Sequence, residues 1–315
     1  MKFFLILTML YFTACAQETI KTSHDIYNLS KVINHFNIKT RYQVVVASNQ
    51  CSYEILVNDL PVYQFFYKLS GGPAGDVRPI NVCIAKSGKQ KLTIKMYPGY
   101  DIQNKKFKEL LGENAGVKVI IEKDEEEIHT ITTPQIDKGQ GKIRFTFPEK
   151  KYYEENFIFD ANVPYELFTL ENAQILYTKD SENLKQLEKE VVAKYNQIRD
   201  IYITGSKDDL ANISFAKEKR FAQQMYYTPE EIRSSWDNDY QFRTDPDLEF
   251  FDLKPIENYK MTFYANGKLV CLEKLNNKKS ALWGGFKKKD KDIGTTTYII
   301  IYLYRPKGSK TLEIY

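Results

Sequence analysis

Histidine, tryptophan and cysteine are scarce in this chain of 315 residues, which holds three, two and four of them. His24, His35 and His129 form no H-x-H, H-E-x-x-H or His-Cys cluster, which excludes the sequence-local zinc motifs. No C-x-x-C pair occurs, so zinc knuckles and thioredoxin-type sites are excluded as well. Beyond about residue 25 no apolar run is long enough to cross a bilayer as a helix. Charge of one sign is not in excess either. Lys and Arg number 45 against 41 Asp and Glu, they are interleaved, and the net charge is only +4. Nothing in that pattern matches a nucleic-acid-binding module. No G-x-S-x-G elbow, and no S-x-x-K beside a penicillin-binding pattern, marks a nucleophile. The glycine-rich stretch 71–75 lacks the lysine and the Ser/Thr of a P-loop. No cofactor is implied.

Two acidic groupings come nearest to a cation site. Asp124, Glu125, Glu126 and Glu127 precede His129, and Asp237, Asp239, Gln241 and Asp245 follow an EF-hand-like spacing. The second fails at Phe242, where the loop needs glycine, and at Leu248, where a bidentate glutamate closes the site. Both read as solvated acidic segments, and no metal site is expected. The lysine-rich run 287–292 reads as an exposed hairpin loop.

What the chain does have begins at its start. Lys2 is followed by the apolar run 3–12 and then by Thr13, Ala14 and Cys15, the layout of a secretory signal peptide. Phe12-Thr13-Ala14-Cys15 resembles a bacterial lipobox, with Phe12 in place of the usual leucine. That resemblance implies lipidation of Cys15, a membrane contact through the lipid, and a periplasmic or outer-membrane-anchored protein. The alternative is an A-x-A site at Ala14-Cys15-Ala16 and plain secretion. Residues 1–16 are thus expected to be a signal peptide and the polar segment 17–39 a tether.

Abundant tyrosine (23) and phenylalanine (19) favour packed, strand-rich structure. The expected fold class is α+β in two domains. Residues 40–165 read as a β-sandwich, immunoglobulin-like in outline. Its strands fall at 42–46, 51–57, 80–84, 92–97, 117–121, 128–132 and 143–147, with Asn58-Asp59 and 87–90 as turns. Within 51–57 the alternation places Cys51, Tyr53, Ile55 and Val57 on one face.

Residues 166–315 read as three helices and an antiparallel sheet. Leu184, Leu187, Val191, Tyr195, Ile198 and Tyr202 share one helix face, with Asp180 or Ser181 as cap and Gly205 as a left-handed stop. Ser206 to Asp209 and Thr228-Pro229-Glu230-Glu231 read as capping boxes that open the next two helices. Strands are expected at 259–264, 269–272, 281–286, 295–304 and 312–315, with Asn266-Gly267 as a type I′ hairpin turn.

Cys51 and Cys83 are candidates for a disulfide; otherwise they and Cys271 are small buried apolar residues. Trp236 and Trp283 read first as core aromatics and second as pocket or interface residues.

By element order, residues 182–315 resemble an NTF2-like cone, from the Leu184 helix through Asp200 and Asp208-Asp209-Leu210 to the final hairpins. That implies helices packed on a curved sheet around a pocket. The segments 51–59 and 87–90 are similar to uncharacterised exported lipoproteins of Gram-negative bacteria, a resemblance that implies no activity. An export signal without catalytic motifs points to a non-catalytic protein that binds an envelope protein, of immunity or assembly type. The alternative is a small-molecule binder or enzyme with a pocket in the C-terminal domain. No nucleic-acid partner is expected.

Overall fold

A computed structural model describes residues 19–69, 76–134, 150–244 and 246–315. The expected signal segment with Cys15, the stretch 71–75, the expected strand 143–147 and Asp245 lie outside the described residues. The fold is mixed α+β, with antiparallel sheets and, among the described residues, four α-helices. Among the described residues no helix is long and apolar enough to cross a membrane.

The expected tether is not a tether from Ser23 onward. Helix α1 (Ser23–Tyr27) and a following 3-10 turn bury Ile26, Leu29 and Ile33 against two later helices. Spaced three and four apart, these side chains form an apolar face short enough to escape notice among polar neighbours. Polar side chains tie the backbone down as well. Asp208 Oδ1 accepts from Ser23 N at 2.7 Å, and Gln223 Oε1 accepts from Asn34 N at 2.7 Å.

Among the described residues ten strands follow: β1 (Tyr42–Asn49), β2 (Cys51–Val57), β3 (Leu60–Phe65), β4 (Asp76–Pro79), β5 (Gly88–Pro98), β6 (Tyr100–Asp101), β7 (Lys106–Phe107), β8 (Gly116–Lys123), β9 (Glu126–Thr133) and β10 (Tyr153–Ala161). They build two four-stranded antiparallel sheets, ordered β4-β1-β8-β9 and β10-β5-β2-β3, and a small β6-β7 pair. One hydrophobic cluster joins the inner faces, with Val44, Val119, Tyr53, Ile55 and Ile94 fully buried. Asn58 and Asp59 form the β2–β3 turn with φ of 53° and 61°, a conformation that asparagine and aspartate tolerate.

Two expectations in this half change. All seven residues of β2 are buried, not one face alone. The strand is central in its sheet, and its second face is covered by the C-terminal half of the chain. The expected strand 80–84 is a 3-10 turn (Asn81–Cys83). Asn81 accepts from Tyr42 N at 2.6 Å and donates to Thr40 O at 3.0 Å, so its side chain replaces ladder bonds. Gln224 Nε2 then reaches the carbonyls of Asn81, Val82 and Ile84 at 3.1–3.2 Å.

Helices α2 (Ser181–Thr204), α3 (Lys207–Met225) and α4 (Pro229–Thr244) come next. Asp180 caps α2, accepting from Asn183 N at 2.8 Å. Reciprocal bonds of Ser206 with Asp209, and of Thr228 with Glu231, complete the capping boxes of α3 and α4. Gly205 is extended (φ −69°) rather than left-handed. Glycine is needed there for close approach, because a Cβ would sit 2.8 Å from Ile201 Cα.

Seven strands close the chain: β11 (Leu248–Leu253), β12 (Tyr259–Tyr264), β13 (Leu269–Lys274), β14 (Trp283–Lys288), β15 (Thr295–Tyr298), β16 (Leu303–Tyr304) and β17 (Glu313–Ile314). They form the sheets β11-β14-β15 and β12-β13-β16-β17. The expected strand 295–304 is therefore two strands in two sheets. At the break Tyr195 of α2 donates to Ile301 O at 2.7 Å and accepts from Leu272 N at 3.0 Å, satisfying backbone groups the ladder abandons.

The β12–β13 hairpin forms, but its loop is longer than a two-residue turn. Ala265, Asn266 and Gly267 all have positive φ (51°, 54° and 81°). The loop conforms to the N-terminal half, where Asp59 O accepts from Ala265 N at 3.0 Å and Asp59 Oδ2 from Asn266 N at 2.8 Å. The core crosses the same boundary: Tyr226, Tyr264, Leu269, Cys271 and Tyr304 belong to the cluster that fills the N-terminal sheets.

Candidate functional site

The junction between β3 and β13 buries two carboxylates, Glu54 and Glu273, at 3 % and 4 % exposure. Buried carboxylates persist only when paired and hydrogen-bonded. Gln64 of β3 bridges them, donating through Nε2 to Glu54 Oε1 at 3.1 Å, Glu273 Oε1 at 3.3 Å and Tyr264 Oη at 3.0 Å. Glu54 takes a salt bridge from Lys278 at 2.9 Å and a hydrogen bond from Tyr97 at 2.8 Å. Glu273 accepts from Tyr264 at 2.6 Å and from Thr262 at 3.0 Å. Burial, and next the neighbouring carboxylate, push both phenols well above the usual tyrosine range, so both remain protonated donors. All four carboxylate oxygens are therefore occupied, and the network clasps one half of the chain to the other.

Above this floor lies a cavity of about 320 Å³. One wall is Tyr63, Tyr67 and Arg78; the other is Lys278, Lys279, Tyr298 and Ile300. Lys279 is held between two rings, its Nζ 4.1 Å from the Tyr67 centroid and 4.5 Å from that of Tyr298. Tyr298 stacks with Trp283 at 6.3 Å, and Lys274 Nζ sits 3.4 Å over the Trp283 ring. Lys274 and Lys279 therefore share one aromatic ladder. Among the described residues neither has a carboxylate within 4.0 Å. Desolvation, and then the charge of Lys279, lower the pKa of Lys274. Such an arrangement attracts an anionic group and offers apolar faces beside it.

The residues singled out from the sequence scatter. Trp236 is 1 % exposed within the cluster of α1, α3 and α4, and its indole N–H finds no partner among the described residues. It packs as a core side chain. Trp283 is half-buried and reaches the cavity only through Tyr298. Cys51 and Cys83, the candidates for a disulfide, are both free and buried. Cys51 lies against Gly116 O at 3.4 Å instead, and burial pushes both thiols up to about 12. Among the described residues no three His, Cys, Asp or Glu side chains gather as metal ligands.

Sequence reasoning missed Gln64, Tyr67, Lys278, Lys279 and Tyr298. One signal was present: a glutamate centred in the otherwise apolar segment 51–57, and another in 269–274. No protein-family model, curated protein or solved structure matches this chain.

Proposed function

We propose that this is an exported, lipid-anchored, non-catalytic binding protein of the bacterial envelope, of immunity or assembly type, that grips a protein partner at the junction cavity. The observation that carries the reading is Lys279, a cation without a carboxylate partner among the described residues, held between Tyr67 and Tyr298 at the cavity. Tyr67 and Ile300 are 41 % and 67 % exposed beside it. Exposed aromatic and aliphatic groups around a cationic centre suit the acidic and apolar side chains of a protein segment. The volume is at the low end for small-molecule sites and suits one or two inserted side chains. Both carboxylates beneath are fully hydrogen-bonded, which favours holding over reacting.

The finer fold reading belongs here too. Two antiparallel sheets around one core support an immunoglobulin-like sandwich, and α2 packed on β12-β13-β16-β17 supports an NTF2-like cone. The alternative, a ligand pocket within the C-terminal part alone, has less support. Buried Val191, Tyr195, Ile198, Leu272 and Leu303 fill the space between α2 and its sheet.

The test is recovery of C-terminally tagged protein from its own envelope, alongside a Lys279→Glu variant. One stoichiometric protein is expected with the wild type, falling about tenfold with the variant, the effect of reversing a desolvated charge pair. Equal recovery from both, or none from either, would overturn the reading.

A further inference from the structure

A second cavity, of about 490 Å³, lies on another side of the same junction. It opens between the start of β5, the segment 167–171, helix α3 and the β12–β13 loop. Arg220 of α3 lines it, with its guanidinium carbon 3.5 Å from the centroid of the Tyr315 ring and Nη1 3.4 Å from Gln224 Oε1. Stacking on the tyrosine orients the planar fork without neutralising it. Among the described residues no carboxylate lies within 4.0 Å of Arg220.

Three lysines line the same space. Lys268 donates to the carbonyls of Leu170 (2.8 Å) and Glu171 (3.1 Å), which satisfies its hydrogen bonds but leaves its charge. Lys89 is exposed at the rim and has no carboxylate partner among the described residues. Lys86 faces Glu166 and Glu171 at 3.6 and 3.5 Å. Among the described residues Glu171 is the one acidic side chain lining the cavity, and Lys86 already engages it. Among the described residues Arg220, Lys89 and Lys268 thus have no carboxylate within 4.0 Å in one concave, polar space.

Like charges gathered in a cleft raise the local concentration of an anion. An oriented guanidinium matches the oxygens of a phosphate bidentately, and surrounding ammonium groups complete the charge balance. We infer that this cavity binds a phosphate-bearing ligand, with Arg220 as the orienting contact and Lys89 and Lys268 as charge partners. The site is separate from the junction cavity and does not depend on the reading of that cavity. The phosphate can belong to a soluble ester or to a lipid headgroup, and the two are distinguished by experiment.

Isothermal titration with inorganic phosphate and glycerol 3-phosphate addresses the soluble source. Flotation with phosphatidylcholine vesicles, with and without phosphatidic acid, addresses the headgroup. Both use residues 17–315, as wild type, Arg220→Gln, Lys89→Gln and Lys268→Gln. Binding to at least one phosphate probe is expected, weakened about tenfold or more by Arg220→Gln, the loss of a charge-assisted hydrogen-bonded contact. Lys89 lies at the rim, so Lys89→Gln tests the site even if Arg220→Gln fails to fold. Binding of soluble esters alone assigns a soluble ligand, and binding only to phosphatidic acid vesicles assigns a headgroup. Failure of every probe, or binding that all three variants leave unchanged, would overturn the inference.

Discussion

Single side chains do much of the joining in this protein. Tyr195 is buried on α2, yet its hydroxyl serves two backbone groups, Ile301 O in the break between β15 and β16 and Leu272 N of β13. Gln224 does the same for three carbonyls of the 81–84 turn. Each spans two parts of the chain that no ladder connects. Removing such a group leaves buried polar atoms without partners, which costs about 1–3 kcal/mol apiece. Tyr195→Phe keeps the ring and orphans both backbone groups, so a loss of roughly 2–4 kcal/mol is expected from urea unfolding. A change below about 0.5 kcal/mol, the scale of an ordinary surface substitution, would show that the hydroxyl contributes little.

At the scale of elements, the helices are the most locally determined parts. Ser206 and Asp209 hold each other reciprocally at the start of α3, with Ser206 N donating to Asp209 Oδ2 at 2.7 Å and its hydroxyl at 2.8 Å. The amide bond, and next the hydroxyl bond, hold the Asp209 carboxyl below its usual range. A carboxylate with a depressed folded-state pKa contributes stability that is complete above its unfolded value, near about 4, and is lost as pH falls through the folded value. Asp209→Asn removes that titration. Its melting temperature is expected to be lower than wild type at pH 7 and to converge on wild type as pH falls below the unfolded value and through the folded one. Circular dichroism melts across that range check it, and curves that stay parallel would contradict it. The strands behave differently: β2 is buried on both faces only because another half of the chain lies over it.

The whole molecule is held by a shared core rather than by a linker. The hydrophobic cluster of the N-terminal sheets takes in Tyr226, Tyr264, Leu269, Cys271 and Tyr304. The clasp of Gln64, Glu54, Glu273 and Lys278 crosses the same boundary, as does the contact of Asp59 with the β12–β13 loop. The cluster that fills the N-terminal sheets is completed by C-terminal side chains, so one cooperative transition is expected. Calorimetry would show a calorimetric enthalpy equal to the van't Hoff enthalpy. Two resolved transitions would mean that the halves fold independently.

The sequence by itself determined the elements that rest on short-range chemistry. Capping boxes, the amphipathic face of α2 and the Asn58-Asp59 turn were legible because each depends on residues within a few positions of one another. Tertiary structure decided the rest. Residues 23–33 joined the core because α3 and α4 offered an apolar seat, and the expected strand 295–304 broke because Tyr195 could satisfy the gap. Glu54 and Glu273 became a clasp because two sheets met over them. The cavities belong to that meeting: Tyr67 and Lys279, or Arg220 and Lys89, lie far apart along the chain. Their proximity is set by the packing of two halves, which no local pattern encodes.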